Sequence, residues 1–277
     1  MVDDPVSATA PTTLTLPLGH LVKHRIADRL PLPPIEAAMY EYVMAANGLF
    51  KRGRREGLEA TVPVHYCEIR GGLASVEPEI VLHCPKVPQQ AVEAMLTMAR
   101  SERDARGRPV EILFHLAWSE GHGWRLTVPE QIGTAGDVRP LQAGTDSSYA
   151  NALIEVHSHH QMGAFWSSTD NKDEQGFRLY GVLGDIFDKP RFRVRVGLYG
   201  HFWEVPAESL CNLPEGMNKP NRVPARHKGQ EVQEQQEEDG YRGAAGAAGT
   251  EEDMLSGFEE TRVFENLDEV EEVDYEL

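Results

Sequence analysis

Residues 152–174 read ALIEVHSHHQMGAFWSSTDNKDE, and the rest of the chain is read outward from them. Leu153, Ile154 and Val156 are apolar and partly β-branched, so the run into His157 predicts a buried strand. A period of two then sets Glu155, His157 and His159 on one face, with two imidazoles aimed at one spot. Ser167 follows after seven residues and Asp170 after two more, giving H-x-H-x7-S-x2-D. At this chain's frequencies of His, Ser and Asp, such a pattern arises by chance on the order of once in a thousand sequences.

Those side chains suit a catalytic zinc. Zinc takes imidazole nitrogen and carboxylate oxygen at about 2.0 to 2.2 Å, and three protein ligands leave its fourth position open. His157, His159 and Asp170 are the candidate ligands, for one zinc per chain. A zinc so held brings a bound water to a pKa of about 7 and polarises a carbonyl. Ser167, between the ligands, is placed to hydrogen-bond a developing oxyanion. The plainer alternative is a His-rich loop in which Asp170 only caps a following helix.

His157, His159, Ser167 and Asp170 resemble the JAMM (JAB/MPN+) motif of metal-dependent isopeptidases that remove ubiquitin or ubiquitin-like proteins. The flanks EVHSHHQMGAF, DNKDEQGFRLYGVLG and RVRVGLYGHF are similar to the protein A family of the bacterial PRTRC gene system, within that superfamily. The resemblance spans about Leu30 to Pro206. It implies a cytidine-deaminase-like α/β fold with a mixed, curved sheet flanked by helices. It also implies zinc-dependent cleavage at a ubiquitin-like protein or its conjugates, with a ThiF-type activating enzyme as companion. A deaminase itself is not expected, because the H-x-E and P-C-x-x-C ligands are absent.

Active members of that superfamily carry a general-base Glu in an E-x-x-G-x-L-like element at the end of the first helix. Here the matching segment is read as Ala45-Ala46-Asn47-Gly48-Leu49-Phe50, with Ala45 at the Glu position. That leaves Glu155, on the histidine face, as the candidate base, with Glu41 and then Glu68 behind it. Glu155 as a supporting partner and Glu41 as a solvated helix residue are the plainer readings. His160 stands where the superfamily has Pro. A second function class therefore stays open, a non-catalytic MPN-type scaffold that binds a partner and keeps a structural metal.

Composition bounds the rest. The chain has 277 residues and a formal net charge of -17. Residues 231–277 hold 17 acids against Arg242 and Arg262, so nearly all of that charge sits in the tail. No basic patch suits a phosphate backbone, and Lys51 to Arg55 reads as a solvated hairpin tip, so nucleic acid is not expected as a partner. Three cysteines without C-x-x-C spacing argue for a reducing compartment. With acids where a basic n-region would stand and no long apolar run, neither a signal peptide nor a membrane span is expected, and the expected location is cytoplasmic.

The organisation expected is a flexible arm over 1–29, one α/β domain over 30–213 and a disordered acidic tail over 214–277. Within the domain, Ile35 to Met44 predicts a first core helix stopped by Asn47-Gly48, and Gln89 onward a second with Val92, Met95, Leu96 and Ala99 on one face. Hairpins are expected at Leu49–Lys51 with Leu58–Tyr66, and at Val110–Trp118 with Trp124–Val128. Leu73–Leu82 reads as another strand or a loop crossing, and further strands are expected at Phe177–Gly184, Arg191–Leu198 and His201–Val205. The arginines alternating through Arg191–Leu198 are expected to face solvent, and residues 129–148 to form a loop bordering the site.

Overall fold

A computed structural model describes residues 20–69, 71–141, 144 and 147–217, and the backbone of 262–264. The first sheet runs β1 (Val22–Ile26), β2 (Tyr40–Ala45), β3 (Gly48–Arg55), β4 (Leu58–Tyr66) and β5 (Glu79–Leu82), each paired with the next. The pairing of β1 with β2 is parallel and the other three are antiparallel.

Here the chain departs from expectation. The predicted first helix is the strand β2, in which buried Glu41, Val43 and Ala45 alternate with less buried Tyr40, Tyr42 and Met44. Two tyrosines and a valine in a period-two pattern favour a pleat over a helix. Ala46-Asn47 makes a hairpin turn and Gly48 opens β3, so there is no helix stop: Gly48 sits at φ 145°, and a Cβ there would lie 2.2 Å from the His65 carbonyl. The arm expected over 1–29 already contains β1, held by Arg25 to Glu36 and Glu41, so the ordered unit begins before Leu30. The basic run is no solvated tip either. Lys51 and Arg52 are buried within β3, and the turn falls at Glu56-Gly57. Lys51 Nζ donates to the Tyr199 carbonyl at 2.8 Å and lies 3.8 Å from the Tyr40 ring centre, which ties this sheet to the second.

Next come α1 (Gln89–Ser101), β6 (Leu113–Ser119), β7 (Gly123–Val128), a small hairpin of β8 (Gln131–Gly133) and β9 (Val138–Pro140), and one turn of helix, α2 (Ser148–Asn151). The chain then forms β10 (Ile154–Ser158), α3 (Ser168–Asp173), β11 (Phe177–Gly184), β12 (Arg191–Leu198) and β13 (Phe202–Val205). The predicted stripe of α1, Val92, Met95, Leu96 and Ala99, is its buried face. It packs into one core with Leu58, Ala60 and Val62 of β4 and the apolar face of the second sheet, including Ile154, Val156, Val194 and Val196. Removing that much apolar surface from water is the main stabilising term.

The second sheet has the order β13-β12-β11-β10-β6-β7-β14, where β14 is Arg262–Phe264. It is mixed: β10 and β11 run parallel and every other pair is antiparallel. The fold is thus a mixed α/β one, mostly sheet. The disorder expected over 214–277 lies outside the described residues except at 214–217 and 262–264. The latter three pair with Val128, Thr127 and Leu126 and close the β7 edge. Among the described residues no helix is long and apolar enough to cross a membrane.

Candidate metal centre

The parallel strands β10 and β11 end together, and the turn after β10 carries the site. His157 is the fourth residue of β10, and His159 N donates to the Leu183 carbonyl at 2.7 Å, prolonging the pairing past the strand's end. The loop 160–166 then folds tightly over β11. A Cβ on Gly184 would lie 2.1 Å from Ala164 N, so only glycine admits the loop there. The Phe165 ring meets the His159 ring edge-on at 4.5 Å.

Ser167 and Asp170 are set by helix capping. Ser167 Oγ accepts from Asp170 N at 3.2 Å and Asp170 Oδ2 accepts from Ser167 N at 2.5 Å, a reciprocal capping box at the start of α3. The cap engages one carboxylate oxygen and leaves Oδ1 facing His157 Nε2 at 3.6 Å. It also leaves the serine hydroxyl its proton to donate elsewhere. The plainer reading of Asp170 as a cap is thus part of the structure, and the cap is what aims the side chain.

One ligand atom from each of His157, His159 and Asp170 lies within 4.8 Å of the other two. The two Nε2 atoms are 3.2 Å apart. Donors about 2.0 to 2.2 Å from a tetrahedral ion sit about 3.3 to 3.6 Å from one another, so the 3.2 and 3.6 Å edges fit a zinc-sized ion. His159 Nδ1–H donates to the Gly163 carbonyl at 2.9 Å, which fixes the tautomer with a lone pair on Nε2, the usual support of a metal-ligating imidazole. Burial pushes His157 down to about 4 and His159 down as well, so both imidazoles are neutral near pH 7, as ligation requires. The residues therefore fit a bound zinc.

No family profile and no curated protein matches the chain.

The candidate bases fall in different places. Ala45 and Glu41 belong to the first sheet: Ala45 packs with Val43, Phe50 and Val76, and Glu41 is fully engaged by Arg25, Arg52 and the Glu36 N–H. Glu68 is exposed in the loop after β4. Glu155 turns to His115 Nε2 and Arg178 Nη1, each at 3.5 Å from its Oε2, beside Tyr149, on which Arg178 stacks. His115 of β6 is buried and also bonds Ser148 Oγ at 2.8 Å. His160 is buried against Arg103 and Phe187, away from a ligand role.

A carboxylate that sequence reasoning passed over is Glu111. The antiparallel register of β6 with β10 sets Leu113 opposite His157, and the Ser158 N–H bond to the Ile112 carbonyl continues it. Glu111, the next residue back, lies within the field of the Asp170 carboxylate. Glu111 is 3% exposed, and its Oε1 has no hydrogen-bond partner among the described residues. Burial, with the negative fields of Asp170 and Asp137, pushes it up to about 8. Its backbone is fixed by the β8–β9 hairpin: Glu111 N donates to the Thr134 carbonyl, and the Gln131 amide bonds Leu113 N at 2.7 Å. Part of the stretch expected as a loop is thus the β8–β9 hairpin, which supports the backbone at Glu111 and Leu113.

The second residue missed is Arg195. Its expected exposure holds for Arg191, but Arg195 is 3% exposed and turned toward α3.

Proposed function

We propose that the chain is a zinc-dependent peptidase or isopeptidase of JAMM type, acting at the amide linkage of a ubiquitin-like protein or its conjugates. The observation that carries this reading is the convergence of His157, His159 and Asp170, with the buried Glu111 close enough for the Asp170 charge to act on it. Zinc at those three ligands would supply Lewis acidity, polarising a carbonyl and acidifying water.

The chain's own groups would do the rest. Glu111, which burial holds protonated up to about 8 without a metal and which a cation at the three ligands would help ionise, would then accept the proton of the attacking water and return it to the leaving amine. The Ser167 hydroxyl, whose oxygen is already held by the Asp170 N–H, donates its proton toward the carbonyl oxygen as charge builds there. Glu155 is left to hold Arg178 and His115 at its side. A ThiF-type activating enzyme fits this reading as the upstream partner that would make the conjugates.

The test is a ubiquitin-like protein fused through its tail, incubated with zinc-loaded chain and followed by mass. Cleavage after the tail is expected in the wild type, with a loss of about 10²-fold or more in Ser167→Ala. Binding without cleavage by the zinc-loaded wild type would replace the enzyme with a partner-binding scaffold.

A further inference from the structure

The third ligand rides on a helix that has little reason to stay in place. α3 has six residues, fewer than an isolated helix needs to persist, so its position must come from its tertiary contacts. Those contacts come from β12. Arg195 Nε and Nη2 both donate to Glu174 Oε2, at 2.7 and 2.5 Å, and Arg195 Nη1 donates to Asn171 Oδ1 at 2.7 Å. Asn171 follows Asp170 directly, and Glu174, one turn on, caps the helix by donating its N–H to the Asp170 carbonyl at 2.9 Å. Holding both residues therefore fixes the rotation of α3 about its axis, and with it the direction of Asp170.

The loop leading into α3 is held by the same strand. The Trp166 ring lies 4.7 Å from the guanidinium carbons of both Arg193 and Arg195, and Arg193 Nη1 donates to the Ala164 carbonyl at 3.1 Å. Arg195 is backed by the Phe202 ring at 3.9 Å, and Arg193 by Glu204. Burying a charged pair is costly, and a fold keeps one most readily where it fixes a geometry that apolar packing leaves loose.

We propose that Arg195 is a positioning residue for the metal: through Glu174 and Asn171 it holds α3 so that Asp170 arrives preformed at the point defined by His157 and His159. The inference rests on the zinc reading of that site. A partner behind a ligand typically changes metal affinity by about 10 to 100-fold when removed.

The test is a double-mutant cycle on zinc affinity, read by competition with a chromophoric chelator. Arg195→Met combined with Glu174→Leu removes both charges and leaves neither buried alone. It should weaken zinc by about 10 to 100-fold with Asp170 present. In an Asp170→Ala background the same pair should change affinity less than about twofold, because the effect acts through the missing ligand. Should that pair not fold, Arg195→Lys, which keeps the charge and loses the bidentate fork, reads the same cycle with a smaller loss. Equal losses in both backgrounds, or no loss in either, would overturn the inference while a zinc-binding wild type kept the site reading intact. A wild type that binds no zinc through His157 and His159 would sink both.

Discussion

Two glutamates lie equally deep in this molecule and do opposite work. Glu41, in the first sheet, is 0% exposed, and Glu111, just before β6 of the second, is 3% exposed. Glu41 receives Arg25, two nitrogens of Arg52 and the Glu36 N–H. Burial pushes it up, but these donors outweigh burial and hold it below its ordinary value. Glu111 faces two acids and no donor reaches its Oε1, so burial pushes it up to about 8. Burial alone does not raise a carboxyl group above its ordinary value; burial without donors does. The same contrast explains why Glu41 is architecture and Glu111 is available for chemistry.

The sharpest way to break that contrast is to neutralise each carboxylate in turn. Glu111→Gln should keep fold and zinc and lower turnover about 10² to 10⁴-fold, the usual worth of a positioned base. Glu41→Ala should leave turnover per folded molecule unchanged and cost about 3 to 5 kcal/mol in denaturant unfolding, because Arg52 is then buried without its partner. Turnover lost in Glu41→Ala, or kept in Glu111→Gln, would reverse the assignment.

A smaller effect sharpens it through pH. In the metal-free chain Glu111 keeps its proton up to about 8, whereas unfolded it releases it near 4.5. Across that window the native state binds more protons than the unfolded one, so Glu111 makes stability fall as pH rises and then level off above about 8. Glu41 has the opposite sign: its contribution is present above 4.5 and is lost as pH falls through its lowered native value. Unfolding curves from pH 5 to 8 should therefore show Glu111→Gln gaining on the wild type as pH rises. Parallel curves would mean that Glu111 is already ionised.

How much of this was legible in the sequence follows from the range of each interaction. The β10 to α3 motif, the α1 stripe and the β11–β12 hairpin rest on short-range periodicity and spacing, and they stand where that spacing put them. The first strand pair was hidden because Ile35, Met39, Tyr40, Val43 and Met44 also fit a helical stripe, and only pairing with β1 and β3 selects the pleat. The glycine of Asn47-Gly48 then drew the E-x-x-G-x-L element to Ala45. Glu111 stands just before β6, and only the pairing of β6 with β10 brings that end of the strand toward the histidines. Arg195 was hidden for another reason. Strand alternation assigns a face, and which face α3 covers is a tertiary fact.

Everything here rests on three side chains holding one ion, and equilibrium dialysis against zinc tests that without any substrate. The wild type and Glu111→Gln should each bind about one zinc per chain, and the double variant His157→Ala, His159→Ala should bind none. A double variant that retains as much zinc as the wild type, or a wild type that retains none, would contradict the account at its base.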